Sequence, residues 1–358
     1  MTILWFNLFF VYIFSMFARV AATTQTTINA TVSNRPNKLF FLFALLPLII
    51  VSGLRSGIGD TYFYKHAYMI NDFTVDFVLE QKDIGFAVLQ MLLKNYVSED
   101  PQIMVFTAAL LTNTLIFLVF YKYSNKIELS AYVYITGGLF LVSMNGIRQL
   151  LAAAITFTAT KYLIEGNFFK YSLIIIIASL FHLSALILLP IYFLVRTKAW
   201  SKSTIILIFS ALIIVIGFDQ FSSLLFSAIQ DTQYGHYKSF AEGGANVIRV
   251  AVEMVPLGIA FLGRERLKEI MPHSNIIVNM ALLGFVFMLI STQNWIFARF
   301  SFYFSLYQLI LISWIILLFK KNNQPLVYFG LITCYFLYYY YENVISLAIL
   351  YYSDYLVW

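Results

Sequence analysis

Apolar runs close to the length that crosses a bilayer, roughly 17 to 25 residues, follow one another along almost the whole chain. They cover residues 3–20, 39–54, 103–121, 131–145, 147–164, 171–195, 203–218, 247–263, 275–293, 296–319 and 326–341. This pattern predicts an all-α, polytopic membrane helical bundle of about 10–12 membrane segments, with the tail 344–357 as a further segment. A shorter run, IGFAVLQMLLKNYV at 84–97, reads as an interfacial or re-entrant helix. Asp100 and Pro101 form a start signal for the run at 103–121, since a carboxylate accepts orphan amides and proline suits the first helical turn. No internal repeat and no long linker interrupts the series. The chain is therefore read as one integral membrane domain, 1–358, with extracytoplasmic loops at about 55–100 and 219–246.

Charge placement sets an orientation, because short cytoplasmic loops collect Lys and Arg. Arg19, Arg35 and Lys38 put the first loop in the cytoplasm and the N-terminus outside. The second run then emerges on the outer face with residues 55–99, and Lys122 and Lys126 return to the cytoplasm. From the other end, Lys320 and Lys321, then Arg264, Arg266 and Lys268, then Arg196, Lys198 and Lys202 all fall inside. Between Lys126 and Arg196 three runs remain where an even number of crossings is required. The simplest repair is a broken or re-entrant segment within 171–195, with its break in LFHLS at His182.

Composition narrows the class further. Sixty-one per cent hydrophobic residues against 11% charged, with a mean hydropathy of +0.81, leave too little polar surface for a soluble chain. A formal charge of +6 would point to nucleic acid in a soluble protein. Here the basic residues sit in short loops, and no nucleic-acid partner is expected. The first run lacks a basic n-region ahead of it and a convincing small-residue cleavage site, so it is read as a spanning helix and not as a removed signal. The lone cysteine, Cys334, is read as packing and excludes an internal disulfide. Tyrosines massed at 335–343 and at Tyr351, Tyr352 and Tyr355 fit interfacial belts.

Against the positive-inside pattern, three arginines face outward at run ends, in SGLRSGIGD (Arg55), MNGIRQ (Arg148) and NWIFARF (Arg299). A guanidinium is a permanent planar fork that pairs bidentately with phosphate oxygens, which suits these three to hold a diphosphate. The competing account is snorkelling, or a counter-charge to a buried acid such as Glu253. Gly53, Gly57 and Gly59 permit close approach of backbone amides to an anion, although no P-loop lysine follows them. Asp60 beside them is the carboxylate placed to reach a sugar hydroxyl as a general base, unless it pairs with Arg55 or Lys65. His182, ionisable inside an apolar run, is a second catalytic candidate. Tyr62, Lys65, His66, Gln149 and His236 are candidate sugar contacts, His236 from a loop whose Tyr234, Tyr237 and Phe240 would stack on sugar faces. Four scattered histidines at no ligand spacing predict no metal site.

LRSGIGDTYFYKHAY, then MNGIRQLLAAAITFTATKYL running into SLIIIIASLFHLSALILLPIYFLV, then NWIFARFSFYFSLYQLILI, together resemble the EpsG-like family of bacterial exopolysaccharide and O-antigen polymerases, the Wzy type. The Arg-Gln pair followed by Phe-His-Leu-Ser is the most specific block. One departure is that Asp60 is followed by Thr61 before Tyr62, where the family's pattern runs from aspartate into tyrosine. The resemblance implies a GT-C-like glycosyltransferase in the bacterial plasma membrane with its site facing the periplasm or exterior. It implies no cofactor and no metal. The implied reaction moves a glycan from an undecaprenyl-diphosphate-linked oligosaccharide to the non-reducing end of another lipid-linked repeat unit of O-antigen, capsule or exopolysaccharide. Arg55, Asp60, Arg148, His182 and Arg299 carry the family's positions. Either Asp60 or His182 would be the base. Membrane lipid, a flippase and a chain-length regulator are the implied partners. The alternatives are a flippase or exporter of lipid-linked oligosaccharide, which would want symmetric repeats, an O-antigen ligase sharing the donor chemistry, and an acyltransferase, which would need its histidine on the cytosolic side.

Overall fold

A computed structural model describes residues 1–26, 32–218, 220–223 and 243–356. The architecture is helical throughout apart from a short β-hairpin, as the apolar periodicity predicts. In chain order come α1 (Thr2–Val20), β1 (Thr23–Thr26), β2 (Val32–Arg35), α2 (Lys38–Gly53), α3 (Thr61–Ile70), α4 (Val75–Leu79), α5 (Ile84–Tyr96) and α6 (Gln102–Tyr123). There follow α7 (Ile127–Thr136), α8 (Leu139–Asn145), α9 (Ile147–Thr158), α10 (Thr160–Glu165), α11 (Phe168–Phe181) and α12 (Leu188–Val195), with a 3₁₀ turn at Leu183–Ile187 before the last. The remainder is α13 (Lys202–Ile216), α14 (Val247–Leu262), α15 (Arg264–Ile270), α16 (Ser274–Ile290), α17 (Ile296–Ile315) and α18 (Gln324–Tyr339).

Among the described residues α1, α6 and α17 with its 3₁₀ extension are long and apolar enough to cross a bilayer alone. The pair α7 and α8 passes the same test as one span bent by 54° at Gly137 and Gly138. Shorter apolar helices of 10–17 residues, α2, α11, the segment Leu183–Val195, α13 and α16, accompany them. The expected break at His182 is present: α11 ends there, and His182 takes an extended backbone before the 3₁₀ turn.

Local chemistry starts the helices where the sequence allows it. Asn37, Asn167 and Asn246 each accept amide hydrogen bonds at the N-termini of α2, α11 and α14, the favoured role of asparagine at that position. Asp100 Oδ1 accepts from the Gln102 amide at 2.8 Å, as its place ahead of α6 predicts.

The structure forms two compact units, residues 1–190 with 312–358, and residues 191–311. In the first, α1 packs on α2 and α7, α2 on α6, α6 on α9, and α9 on α11. Its interior is tied by polar links as well as by apolar side chains. Arg19 Nε meets buried Glu128 at 2.7 Å, Tyr328 donates to the same carboxylate at 3.4 Å, and Trp314 Nε1 donates to the Tyr123 carbonyl at 2.8 Å. In the second unit α16 packs against α13 and α14, and Asn279 donates to the carbonyls of Val195 and Thr197 at 3.0 and 2.8 Å.

Two expectations are corrected. The tail is not another spanning helix: after a π-helical turn at Tyr340–Ser346 the chain is irregular. It crosses the α2–α3 loop as a strap, with Tyr351 Oη on the Val51 carbonyl at 2.8 Å, Ser353 Oγ on the Leu54 carbonyl at 2.5 Å and the Ser56 amide on the Tyr352 carbonyl at 2.9 Å. Cys334 is exposed on α18 and is not a packing residue.

Candidate active site

The segment 61–96 folds into α3, α4 and α5 between two apolar helices. Its core joins Tyr68, Phe73 and Phe86 to Met104 and Val105 of α6 and Ile147 and Leu151 of α9. Lys94 fastens the end of α3 by donating to the carbonyls of Tyr68, Met69 and Asn71 at 2.9 to 3.0 Å, where a cation also complements the helix dipole. Between these elements lies a cavity of about 430 Å³, lined by Asp60, Tyr64, Ala67 and Asn71 of α3 and its flanks, by Asp83 ahead of α5, by Phe86, Ala87 and Gln90 of α5, and by Arg148 of α9. Its size falls in the usual range for small-molecule sites, about 300–1,000 Å³.

The polar centre of this cavity is Asp83. It precedes α5 without capping it through its side chain, so the carboxylate is available elsewhere. Oδ2 lies 2.8 Å from Arg148 Nη1 and 3.5 Å from His182 Nδ1. Asp83 is 7% exposed, His182 20% and Arg148 42%. Tyr64 completes the setting: its hydroxyl accepts from Arg148 Nε at 3.2 Å, and its ring lies 5.6 Å from the guanidinium carbon. Two local features bring these groups together. His182 closes α11 with its amide on the Ala178 carbonyl and then takes an extended backbone, and Gly85 lets α5 approach α11 so closely that a Cβ would stand 2.8 Å from Leu180 Cβ.

Arg55 is not in the lining of this cavity. It is fully buried, at 1% exposure. Nε donates to Thr61 Oγ1 at 3.0 Å, Nη2 to the Met144 carbonyl at 2.8 Å, and Nη1 to the Ser52 carbonyl. Burial pulls its pKa down to about 9, which leaves it charged near neutrality. The cation thus clamps the α2–α3 loop to the α8–α9 junction from which Arg148 projects. Gly59, at φ +52°, presses on Asn145, and the Asp60 amide donates to Asn145 Oδ1 at 2.9 Å. Gly57 pairs with Tyr352. The Ser56, Asp60 and Thr61 amides of this turn are thus engaged within the protein, on the Tyr352 carbonyl, Asn145 and the Ile58 carbonyl.

Asp60 opens α3 half-buried, and its side chain neither caps the helix nor, among the described residues, forms an ion pair. The other candidates on α3 lie off the cavity: Tyr62 stacks on His66 at 5.9 Å, both exposed, and Lys65 is absent from the lining. Gln149 is buried outside the lining as well. Arg299 belongs to the second unit, where its guanidinium lies 4.7 Å from the Trp295 ring. Glu253, in the same unit, receives Ser305 Oγ at 3.4 Å. His236, with Tyr234, Tyr237 and Phe240, lies outside the described residues. Among the described residues no three His, Cys, Asp or Glu side chains converge on a point that a metal could occupy.

Sequence reasoning missed Asp83 as an individual. The available signal was a carboxylate directly ahead of a short amphipathic helix in the segment that also carries Asp60.

The family model for EpsG matches residues 38–355, which takes in the whole of this cavity. The chain belongs to the EpsG family. Membership supports a polysaccharide-polymerase type of role in general terms and fits the helical membrane architecture. No curated protein and no solved structure matches the chain.

Proposed function

We propose that this EpsG-family protein is a membrane glycosyltransferase that elongates a polysaccharide, moving a glycan from a polyprenyl-diphosphate donor to the non-reducing end of a second lipid-linked repeat unit. The observation that carries the reading is the Arg148–Asp83 pair at 2.8 Å on the wall of a cavity that Asp60 also lines. A guanidinium held by a carboxylate and an aromatic ring is preorganised for a phosphate oxygen, and such fixed charge is the strongest single device for stabilising a departing anion.

In this scheme the acceptor hydroxyl oxygen bonds to the anomeric carbon as the bond from that carbon to the diphosphate breaks. The electron pair leaves with the diphosphate, facing Arg148. The hydroxyl proton passes to Asp60, whose carboxylate stands on the cavity wall. His182 acts through Asp83, which it approaches at 3.5 Å, and so positions Arg148 without touching substrate. In-line displacement inverts the anomeric configuration. Arg55 is assigned to the clamp between the α2–α3 loop and the α8–α9 junction, and the sequence expectations of Arg299 as a diphosphate contact and His236 as a sugar contact are kept. The site faces the extracytoplasmic side of the bacterial plasma membrane in the orientation that the basic loops favour.

The test is a reconstituted assay with purified lipid-diphosphate repeat units. Wild type yields a ladder of lengthening products with inverted linkages, and Arg148→Ala lowers its rate by about 10²–10³-fold, the effect of removing one donor to a developing anion. An undiminished ladder in Arg148→Ala removes this residue from the mechanism. Translocation of the lipid between leaflets with no ladder would identify an exporter instead.

A further inference from the structure

Resting on the reading that Arg148 meets the diphosphate of the donor, we propose that Tyr64 is a further catalytic residue, whose hydroxyl donates a hydrogen bond to a diphosphate oxygen beside Arg148. Arg148 Nε donates to the Tyr64 hydroxyl oxygen at 3.2 Å. A guanidinium has five N–H donors and no acceptor, so the hydroxyl cannot give its own hydrogen back to Arg148. That hydrogen needs another acceptor, and among the described residues the Tyr64 hydroxyl donates to none. Tyr64 lines the cavity together with Arg148. A ligand seated there supplies the acceptor.

The ring is held so that the hydroxyl keeps this place. It meets Phe86 edge-on, with centroids 6.0 Å apart and planes at 68°, and it lies 5.6 Å from the Arg148 guanidinium carbon. Tyr64 stands four residues after Asp60, so α3 and its first flank present a phenol and a carboxylate to the cavity about one turn apart. The Nε side of a guanidinium is one of the edges that pair with phosphate through two N–H groups. Here the phenol oxygen takes the Nε hydrogen, and the phenol offers its own in exchange. A hydroxyl that accepts from a cation is polarised into a stronger donor. Its best acceptor is an anionic oxygen, and the diphosphate is the anion that the transfer releases. As the bond from the anomeric carbon breaks, charge gathers on the diphosphate and this hydrogen bond strengthens. No proton is transferred, and the phenol stays neutral.

The experiment titrates inorganic pyrophosphate into the detergent-purified full chain by calorimetry at about pH 6, below the range in which phenols ionise, and follows chain growth on lipid-diphosphate repeat units in parallel. Wild type binds pyrophosphate saturably. Tyr64→Phe keeps the ring against Phe86 and Arg148 and removes only the hydroxyl. It binds pyrophosphate about tenfold more weakly, the loss of one hydrogen bond to an anion, and slows chain growth about 10²-fold. Installing 3-fluorotyrosine at position 64 makes the hydroxyl a stronger donor and a weaker acceptor. The fluorinated protein therefore binds pyrophosphate more tightly than wild type, whereas a hydroxyl that only orients Arg148 by accepting from it would give weaker binding. The proposal is overturned if wild type binds no pyrophosphate, if Tyr64→Phe matches wild type, or if the fluorinated protein binds no more tightly than wild type. Chain growth that persists at the wild-type rate in Tyr64→Phe would sink Tyr64 and keep the transfer reading. Tyr64-dependent pyrophosphate binding without any chain growth would keep the hydroxyl as a diphosphate contact while the transfer reading fails.

Discussion

Asp83 shows what a single residue can conceal. Six acids lie between Asp72 and Asp100, and no local pattern separates the one whose carboxylate meets both Arg148 and His182. That meeting depends on a tertiary approach of α5 to α11, which periodicity does not encode. Arg148, Asp60 and His182 were legible because charge in an apolar chain, or at its rim, needs a reason. Arg55 met the same criterion, yet what answers its charge is a set of carbonyl oxygens and Thr61. A sequence shows that an arginine requires acceptors, not whether protein or ligand provides them. Replacing Asp83 by Asn keeps the side chain's shape and removes the charge that orients Arg148. Chain growth should fall about 10²-fold, the scale of a small misplacement in a reacting geometry. Because Arg148 is 42% exposed, water takes over much of its solvation and thermal stability should change little. A rate measured alongside a melting curve checks both halves: loss of rate together with a large drop in melting temperature would make Asp83 a structural residue.

At the scale of elements, the apolar runs located the helices well, because each run had to bury its backbone polar groups within itself. They failed where polar and aromatic residues alternate. The segment 55–100 reads as a loop around one short helix but builds α3, α4 and α5, since its apolar positions become a core only against α6 and α9. The tail reads as a helix but is held extended by hydrogen bonds to residues far away in sequence. Gly59 lies in the loop that the tail crosses and stands against Asn145 of α8. An alanine there would be forced into positive φ with its Cβ driven into Asn145 Oδ1, so Gly59→Ala should cost about 1–3 kcal/mol, visible as a lowered melting temperature. The strap adds a pH dependence. Hydrogen bonds from Ser56 first, then Tyr352, hold the Asp354 pKa below its ordinary 3.8. A carboxylate depressed in the folded state contributes stability above its unfolded pKa and loses it as pH falls through the folded value. The protection of the Ser56 amide against hydrogen exchange, taken relative to an unstructured amide at the same pH, should therefore fall on acidification below about pH 4, and Asp354→Asn should abolish that step. An unchanged acid step in the variant would assign it to another group.

For the whole molecule, the open question the sequence poses is which end of the bundle faces outward, and the basic loops give an answer that labelling can check. Glu99, between α5 and α6, and Glu269, in α15, are both exposed. The loop charges predict the first outside with Asp60, and the second inside with Arg264, Arg266 and Lys268. On the proposed function, lipid-linked repeat units and their diphosphates would meet Arg148 only in that arrangement, since both the cavity and Glu99 belong to the chain between α2 and α6 or pack against it. With Cys334 replaced by serine, Glu99→Cys and Glu269→Cys give two single-cysteine proteins. A membrane-impermeant maleimide applied to intact cells should modify Glu99→Cys, and Glu269→Cys only after the membrane is opened. The reverse result would turn the cavity toward the cytoplasm, where Arg148 would face nucleotide-linked sugars, and polymer growth outside the membrane would need a different catalytic surface.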